Sequence, residues 1–263
     1  MNVCFLLERG SPPRLNPVFA EAFARLEGRG VRVEVRYPEE ELVRLDTLAI
    51  EADLYLLKSD TELSLSLATA LECLGARVLN RCSACLLAKD KVLAAAMLLQ
   101  ADIPTPRSLV AAQPTQLAPA LANGPLILKP HRGYHGVGIV VVETPAALPA
   151  ADGYPDLVLA QAYLGRGRQD LKVFAIGDEV FGVRKAFSAE SFLQAGEPSP
   201  LSPAVEDLAR CCGRAFGLEL YGLDVVEDEG VAYVVDVNYF PGYRGVPQAA
   251  RRLADYIMRA VWR

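Results

Sequence analysis

The sequence has little of what several large classes of protein require. None of its apolar runs reaches the ~18 residues that a membrane-spanning helix needs. Cys82 and Cys85 have the spacing of metal ligands, but the chain offers no second Cys-x-x-Cys pair and no nearby histidine to complete a zinc site. The net charge is −5, which argues against nucleic acid as the main partner, because a nucleic-acid footprint is normally basic.

The six cysteines and the first residues of the chain predict a cytoplasmic location. We expect the cysteines to be buried free thiols, as in a reducing compartment. The apolar stretch at residues 2–7 is short and is followed by Glu8 and Arg9. It is therefore expected to be a first buried strand rather than a signal peptide.

Length and periodicity predict an α/β protein with a small leading domain. The chain has 263 residues, 52% of them hydrophobic, which suffices for such a domain and a larger two-lobed unit. Up to about residue 87, strand-like apolar runs alternate with helical patterns. This alternation is typical of a doubly wound parallel sheet.

Three oxygen-bearing side chains lie on two apolar strands that a hairpin joins. Asp236 and Asn238 are two residues apart, so they share one face of their strand. Asp224 lies in the preceding strand. If the loop is the three residues 228–230, Asp224 lies on the same face, opposite Val234 and diagonal to Asp236, whereas an even-numbered loop puts it on the other face. Carboxylate and amide oxygens of this kind suit Mg²⁺, or Mn²⁺, held together with phosphates.

A glycine-rich segment follows the strand that ends in Lys129. Gly133, Gly136 and Gly138 stand between this strand and the apolar run at 139–142. Glycines let backbone N–H groups approach an anion closely, and a lysine beside them can pair with phosphate. A glycine-rich hairpin alone is more often a plain turn. Together with Lys129 and the three oxygen ligands, it predicts a flap over the phosphates of a nucleotide.

Taken together, these segments resemble the ATP-grasp superfamily over nearly the whole chain. The stretch from Asn80 through Lys91 to Pro106 is similar to the start of the nucleotide-binding lobe in RimK-like carboxylate–amine ligases. The resemblance implies an ATP-grasp fold with a leading α/β domain at 1–87, a first lobe at 88–160 and a second lobe at 161–263. It also implies ATP and Mg²⁺ as cofactors.

The resemblance further implies roles for individual residues. These are Lys91 and Lys129 as phosphate-contacting lysines, Gly133, Gly136 and Gly138 as the phosphate loop, Gln161, Ala162 and Tyr163 as a hinge that holds adenine through backbone groups, Lys172 and Arg184 as catalytic basic residues, and Asp224, Asp236 and Asn238 as metal ligands.

Two departures from the ligase pattern keep the type of reaction open. Ala162 stands where the family usually has an acidic residue, so no residue is assigned to the ribose. Asp236 stands where most ATP-grasp ligases have glutamate, and the segment from Asn238 to Tyr243 looks more like the inositol phosphate kinases of the same fold. The front half of the chain therefore resembles ligases, and its tail resembles kinases.

Three functions remain, with the ligase preferred. A ligase activates a small-molecule acid as an acylphosphate, which an amine then attacks. A kinase transfers the phosphoryl group to a hydroxyl of a polyol or inositol phosphate and needs cations at the acceptor, for which the candidates are His131, Arg132, Arg166, Arg168, Lys185 and Arg244. A nucleotide-binding module without catalysis is disfavoured because residues able to act occupy every metal-ligand and lysine position. The sequence leaves the oligomeric state open.

Overall fold

A computed structural model describes residues 1–9, 15–131, 138–154, 156–164, 170–185 and 196–262, without the side chains of Asp170 and Lys185. Within these ranges the chain forms three sheets, which follow one another along the sequence. Across the described ranges, no helix is both long and apolar enough to cross a membrane.

The first sheet is the parallel sheet predicted for the leading domain. Its strands are β1 (Asn2–Leu7), β2 (Arg32–Arg36), β3 (Leu54–Lys58) and β4 (Val78–Leu79), in the order β2-β1-β3-β4. Helices α1 (Pro17–Glu27) and α2 (Glu62–Cys73) connect them. Side chains cap both helices, since Asn16 and Thr61 accept from backbone N–H groups of the first turn. The predicted α/β class with a doubly wound parallel sheet is confirmed.

The second sheet is antiparallel and follows two helices, α3 (Cys82–Lys89) and α4 (Lys91–Gln100). Its strands are β5 (Ser108–Ala111), β6 (Leu126–Pro130), β7 (Val140–Val142) and β8 (Val158–Ala162), in the order β5-β8-β6-β7. A 3₁₀ helix at Pro114–Asn123 packs on one side of the sheet through Leu117 and Leu121. The predicted boundary between residues 160 and 161 falls inside β8, which pairs with β6 along its whole length and with β5 over residues 158–161.

The third sheet is also antiparallel and carries most of the predicted site. Its strands are β9 (Asp170–Ile176), β10 (Glu179–Lys185), β11 (Glu197–Ser199), β12 (Leu220–Asp228) and β13 (Val231–Tyr239), in the order β11-β10-β9-β12-β13. Helix α5 (Pro203–Phe216) lies on one side of this sheet, and α6 (Ala249–Trp262) packs against α1 of the leading domain.

One hydrophobic core runs from the first sheet into the third, while the second sheet has a small core of its own. The buried side-chain amide of Asn80, just after β4, links the first sheet to the third by hydrogen bonds. It donates to the carbonyl of Leu220 at 2.7 Å and accepts from the backbone N–H groups of Glu219 and Leu220 at 2.8 and 2.9 Å. Because Leu220 begins β12, this contact fixes the strand that carries Asp224.

The cysteines are free, and four of the six are buried. Cys82 and Cys85 are three residues apart on the inner side of α3, where burial raises the pKa of the Cys82 thiol to about 12. Their spacing is therefore that of a helix face turned to the core. The expectation of buried thiols is wrong for Cys73, which is exposed at the end of α2, and Cys211 is half-buried.

Candidate active site

The hairpin between β12 and β13 differs from the predicted one. Asp228 pairs with Val231, so the turn contains only Glu229 and Gly230. Both turn residues have positive φ, 48° and 81°, as a two-residue turn requires to match the twist of its strands. The prediction of a three-residue loop is wrong. In an uninterrupted ladder this even-numbered turn would place Asp224 opposite Val235.

A β-bulge restores the arrangement that the turn would have broken. The register shifts between Asp224 and Val225, and Val235 is left as the extra residue of β13. Asp224 is therefore the direct partner of Asp236, and the following pair on that face is Gly222 with Asn238. The three oxygen-bearing side chains share one face, but Asp224 lies opposite Asp236 instead of diagonal to it.

Lys129 of the second sheet, and Pro104 and Thr105 just before this sheet, form hydrogen bonds to the bulge. The Lys129 ammonium donates to the carbonyl of Val235 at 2.8 Å. The backbone N–H of Val234 donates to the carbonyl of Pro104 at 2.8 Å, and the Thr105 hydroxyl donates to the carbonyl of Val234 at 3.0 Å. The bulged backbone is thus the point where the strand with the aspartates meets the lobe with the lysines.

Three lysines converge on the two aspartates. Lys172, opposite Asp224 on β9, lies 2.6 Å from its carboxylate, and Lys91 lies 3.6 Å from the carboxylate of Asp236. Lys129 is 6% exposed. Burial lowers the pKa of Lys129 from its ordinary value of 10.5, although the nearby Asp236 carboxylate works in the opposite direction. Like charges placed directly across a ladder repel, so the lysines offset the repulsion between the aspartates.

A cavity opens beside this cluster, between α4, the second sheet and β13. One end is charged, with Lys91, Lys129 and Asp236, while Gln161 is the only uncharged polar side chain among the described residues of the lining. The remaining lining residues are apolar and are Ala94, Ala95, Leu98, Leu159, Val235 and Val237. The chemistry of this lining suits a ligand that combines an apolar part with an anionic part.

The sequence pattern of the RimK-like ATP-grasp domain matches residues 88–260, well over half of the chain. The chain belongs to the RimK-like ATP-grasp family. A probable alpha-L-glutamate ligase of Shewanella loihica is 29% identical to it over 193 residues, which are 68% of this chain and 64% of that protein. The predicted family and the predicted class of enzyme, an ATP-grasp ligase, are confirmed.

Solved structures agree with the family at the level of the fold. The RimK domain ATP-grasp protein of Sphaerobacter thermophilus superimposes with a TM-score of 0.74 at 21% identity, over 98% of this chain and all of the other. The ATP-grasp ligase PsnB, complexed with a minimal precursor, Mg and ADP, gives a TM-score of 0.72 at 21% identity, over 98% of this chain and 97% of the other.

The ATP-grasp metal position can be tested against the donors that are present. Among the described residues, no three His, Cys, Asp or Glu side chains form a self-sufficient metal site. Asp224 and Asp236 do fit Mg²⁺ that arrives with a nucleotide, because Mg²⁺ is commonly held by one or two carboxylates and by phosphates. The Asn238 amide nitrogen lies 3.4 Å from Asp236, and exchanging the amide nitrogen and oxygen would place a further oxygen ligand there.

Two backbone N–H groups of the hinge predicted for adenine already form hydrogen bonds within the protein. The N–H of Ala162 donates to the carbonyl of Arg107 at 2.9 Å, and the N–H of Tyr163 donates to the carbonyl of Pro125 at 3.0 Å. These two groups hold the end of β8 in the sheet and are not available to a base. Gln161, the first residue of the predicted hinge, contributes to the lining of the cavity.

The predicted phosphate loop is described only at its end. Gly138 has φ +74°, and a side chain there would collide with Pro130, so the position requires glycine. Its carbonyl accepts from the Tyr154 hydroxyl at 2.8 Å, which fixes the base of the loop. Gly133 and Gly136 lie outside the described residues, as do Arg132, Arg166 and Arg168.

The structure does not bring Arg184 to the cluster. Arg184 is the partner of Leu171, whereas Lys172 is the partner of Val183. Side chains alternate between the faces of a sheet, so Arg184 lies on the face opposite Lys172 and the aspartates. It contacts Ser199 at 3.3 Å and Glu227 at 3.5 Å. The catalytic role predicted for Arg184 is therefore not supported by its position, because its side chain and that of Lys172 lie on opposite faces of the sheet.

Two groups at the site were not predicted from the sequence. The first is the carbonyl of Val235, the extra residue of the bulge, which accepts a hydrogen bond from Lys129. No local pattern of residues in the sequence indicates this bulge. Ala94, Ala95 and Leu98 give α4 a smooth surface toward the cavity, and their small size with helical spacing is a signal that the sequence does contain.

Proposed function

We propose that the protein is a carboxylate–amine ligase that uses MgATP to activate a carboxylate as an acylphosphate, with L-glutamate as one of its substrates. The pairing of Asp224 with Asp236, flanked by Lys91, Lys129 and Lys172 at the charged end of the cavity, carries this proposal. Glutamate is suggested by the name of the curated relative, an alpha-L-glutamate ligase.

Each residue of the cluster has a separate task in the reaction. The apolar walls of the cavity and Gln161 would receive the base, and Lys91 and Lys129 would pair with phosphate oxygens. Asp224, Asp236 and Asn238 would hold Mg²⁺, which neutralises charge on the transferred phosphoryl group when it is bound. Lys172, beside Asp224, would face the same group from β9. Positioning and neutralisation of charge are the main requirements of phosphoryl transfer.

The two steps balance without a nucleophile of the protein. In the first, an oxygen of the acceptor carboxylate forms a bond to the γ-phosphorus, and the bond between this phosphorus and the ADP oxygen breaks. In the second, an amine attacks the carbonyl carbon of the acylphosphate, the amide forms, inorganic phosphate leaves, and the amine proton passes to the solvent. One ATP therefore gives one ADP, one phosphate and one amide.

Hydroxylamine trapping tests this reaction. The protein is incubated with ATP, Mg²⁺, L-glutamate and a pool of carboxylic acids, with hydroxylamine in place of the second amine. The acylphosphate is then expected to be intercepted as a hydroxamate, with one phosphate released per ADP. Asp236→Asn protein serves as the control and should give none.

The alternative, an inositol phosphate or polyol kinase, predicts a different fate for the phosphoryl group. With γ-labelled ATP the label would remain on an organic product, no hydroxamate would form, and a polyol phosphate would be needed for turnover. The tail from Asn238 to Tyr243 is the observation that favours this alternative. A labelled ester without hydroxamate would refute the ligase.

A cytoplasmic location is part of the same proposal. All six cysteines are free, which suits a reducing compartment, and ATP is available there.

A further inference from the structure

The backbone just before the bulge residue Val235 is held by the segment that precedes β5. β13 is the last strand of the third sheet, and Val234 is completely buried in it. Its N–H donates to the carbonyl of Pro104 at 2.8 Å, and its carbonyl accepts from the Thr105 hydroxyl at 3.0 Å. Buried backbone groups need partners, and both groups of Val234 find theirs in residues 104 and 105.

The sequence around Thr105 leaves its hydroxyl as the donor for this carbonyl. A neighbouring strand would normally supply a backbone N–H. Here the flanking residues are Pro104 and Pro106, and proline has no N–H. The peptide bond between residues 104 and 105 is trans, so the N–H of Thr105 points away from the side to which the Pro104 carbonyl points. The side-chain hydroxyl is therefore the donor that residues 104–106 can offer to Val234.

Two hydrogen bonds fix the peptide units on either side of Val235. A peptide unit is planar, so a donor at its carbonyl sets the orientation of the whole unit. The Thr105 hydroxyl holds the unit that precedes Val235. The Lys129 ammonium, 2.8 Å from the Val235 carbonyl, holds the unit that follows it. The φ and ψ angles of Val235 connect these two units, so the two donors fix the backbone of the extra residue.

We infer that Thr105 is a positioning residue of the metal site, because it fixes the backbone that carries Asp236 into its place opposite Asp224. The position of the bulge decides which residue of β13 stands there. With the bulge moved by one pair along the strand, Asp236 would become the extra residue and Val235 would stand opposite Asp224. The two carboxylates would then no longer face each other, and a shared cation would lose one of its ligands.

This inference rests on the proposed function in one respect, because it takes Asp224 and Asp236 as ligands of Mg²⁺. Thr105 is not among the residues that line the cavity, and its hydroxyl is used by a backbone carbonyl. It acts through Asp236, so its loss should reduce the contribution of Mg²⁺ to nucleotide binding. Lys91 and Lys129 belong to α4 and β6 and not to β13, so their contacts with phosphate should change little.

The test measures how much Mg²⁺ strengthens nucleotide binding. The probe is the β,γ-imido analogue of ATP, which is not hydrolysed, and calorimetry gives its affinity for the full chain with excess Mg²⁺ and with EDTA. The ratio of these two affinities is the Mg²⁺ factor. Thr105→Val keeps the shape of the side chain and lacks the hydroxyl. Its Mg²⁺ factor should fall about tenfold, because the lost hydrogen bond to a buried carbonyl lowers the population of the competent backbone by that order. The affinity in EDTA should be nearly unchanged.

Three further variants separate positioning from stability. Thr105→Ser keeps the donor and should retain the Mg²⁺ factor of wild type. Thr69→Val removes a hydroxyl that donates to the carbonyl of Leu65 in α2 at 2.7 Å, and it should leave the Mg²⁺ factor unchanged even where stability falls. A Thr105→Val protein that is less stable and keeps the wild-type factor would overturn the inference. Thr105→Ala also lacks the hydroxyl and decides the question in the same way if the valine protein does not fold.

Failure of this inference is distinguishable from failure of the proposed ligase reaction. The Mg²⁺ factor is read from binding alone, whereas the ligase is read from hydroxamate. Hydroxamate formation by wild type, with the same Mg²⁺ factor in wild type and Thr105→Val, would overturn the role of Thr105 and leave the ligase in place. A reduced factor in Thr105→Val, with no hydroxamate from wild type, would do the reverse. Wild type whose affinity does not respond to Mg²⁺ would overturn the metal position and this inference with it.

Discussion

Lys129 carries an ammonium group at a position where burial opposes its charge. Its side chain is almost completely enclosed, and the carbonyl of Val235 is its hydrogen-bond acceptor. Such a group costs stability in the free protein and becomes useful when an anion arrives. The residue therefore separates two properties that can be measured independently, stability without ligand and affinity for the nucleotide.

Replacing Lys129 with methionine should change the pH dependence of stability. Burial lowers the pKa of Lys129 below its ordinary value of 10.5 in the folded state. Between the lowered pKa of the folded state and the ordinary pKa of the unfolded state, the unfolded chain binds a proton that the folded chain does not. The free energy of unfolding of wild type therefore rises with pH across this window, relative to Lys129→Met. Urea unfolding of both proteins from pH 7 to pH 10.5 measures this difference, and a constant difference would contradict the burial penalty.

The same variant should bind ATP less tightly. A lysine–phosphate contact shielded from water contributes about 1.5–3 kcal/mol, which corresponds to roughly 10- to 150-fold in affinity. Lys58→Met, at the end of β3 and outside the cavity, is the matched control and should bind ATP like wild type. Equal affinities in the two variants would return Lys129 to a purely structural role.

Asp224→Asn and Asp236→Asn should each abolish ATP turnover and leave the fold intact. Each substitution removes a carboxylate from the metal position with almost no change of volume, and both side chains are only partly buried. ATP hydrolysis and acylphosphate trapping measure the activity, while circular dichroism reports the fold. Wild-type turnover in either protein would disprove the metal position.

At the level of elements, the sequence predicted the strands that carry the site but not their exact register. The alternation of apolar residues located β12 and β13, and the spacing of Asp236 and Asn238 placed these two on one face. The length of the turn and the bulge at Val235 could not be predicted, because each one alone reverses the face of Asp224 and only their combination preserves it. The error in the length of the turn and the missed bulge each shift the register by one residue. Their effects on the face of Asp224 cancel, so the predicted face agrees with the structure while the predicted pairing does not.

The two-residue turn allows a direct test of this register. Glu229 has φ +48°, a conformation that costs most side chains about 1 kcal/mol and that asparagine tolerates better. Glu229→Asn should therefore raise the free energy of unfolding by about 0.5 kcal/mol and leave ATP turnover unchanged, whereas Glu229→Val should lower it. Chemical denaturation measures both, and the opposite order would indicate a turn of different length.

At the scale of the whole molecule, the leading domain and the third sheet share one hydrophobic core. α1 packs on α6, the Tyr239 hydroxyl donates to the carbonyl of Ser59 at 2.7 Å, and Asn80 bonds the first residues of β12. The sequence predicted the leading domain from its βαβ alternation. It did not predict how firmly this domain is joined to the catalytic sheet, since contacts such as those of Asn80 span about 140 residues of chain.

Asn80→Ala should destabilise the protein by about 2–4 kcal/mol, because it leaves a buried carbonyl and two N–H groups of Glu219 and Leu220 with fewer partners. Asn123→Ala, an exposed asparagine at the end of the 3₁₀ helix of the second sheet, is the control and should change stability by less than about 0.5 kcal/mol. Equilibrium unfolding measures the stability of both variants. Similar small effects in the two would show that the leading domain and the third sheet are held together by the hydrophobic core alone.

Each aspartate of the site has a lysine as its counter-ion, Lys172 for Asp224 and Lys91 for Asp236. A metal ion that takes the aspartates releases the lysines, and a triphosphate that takes the lysines releases the aspartates. Neither ligand alone completes this exchange, since each would break the aspartate–lysine pairs and replace them on one side only. Metal and nucleotide must then strengthen each other's binding by the same factor, as thermodynamic reciprocity demands. We therefore expect the protein to recognise the metal–nucleotide complex as a single ligand and to bind either component alone less tightly.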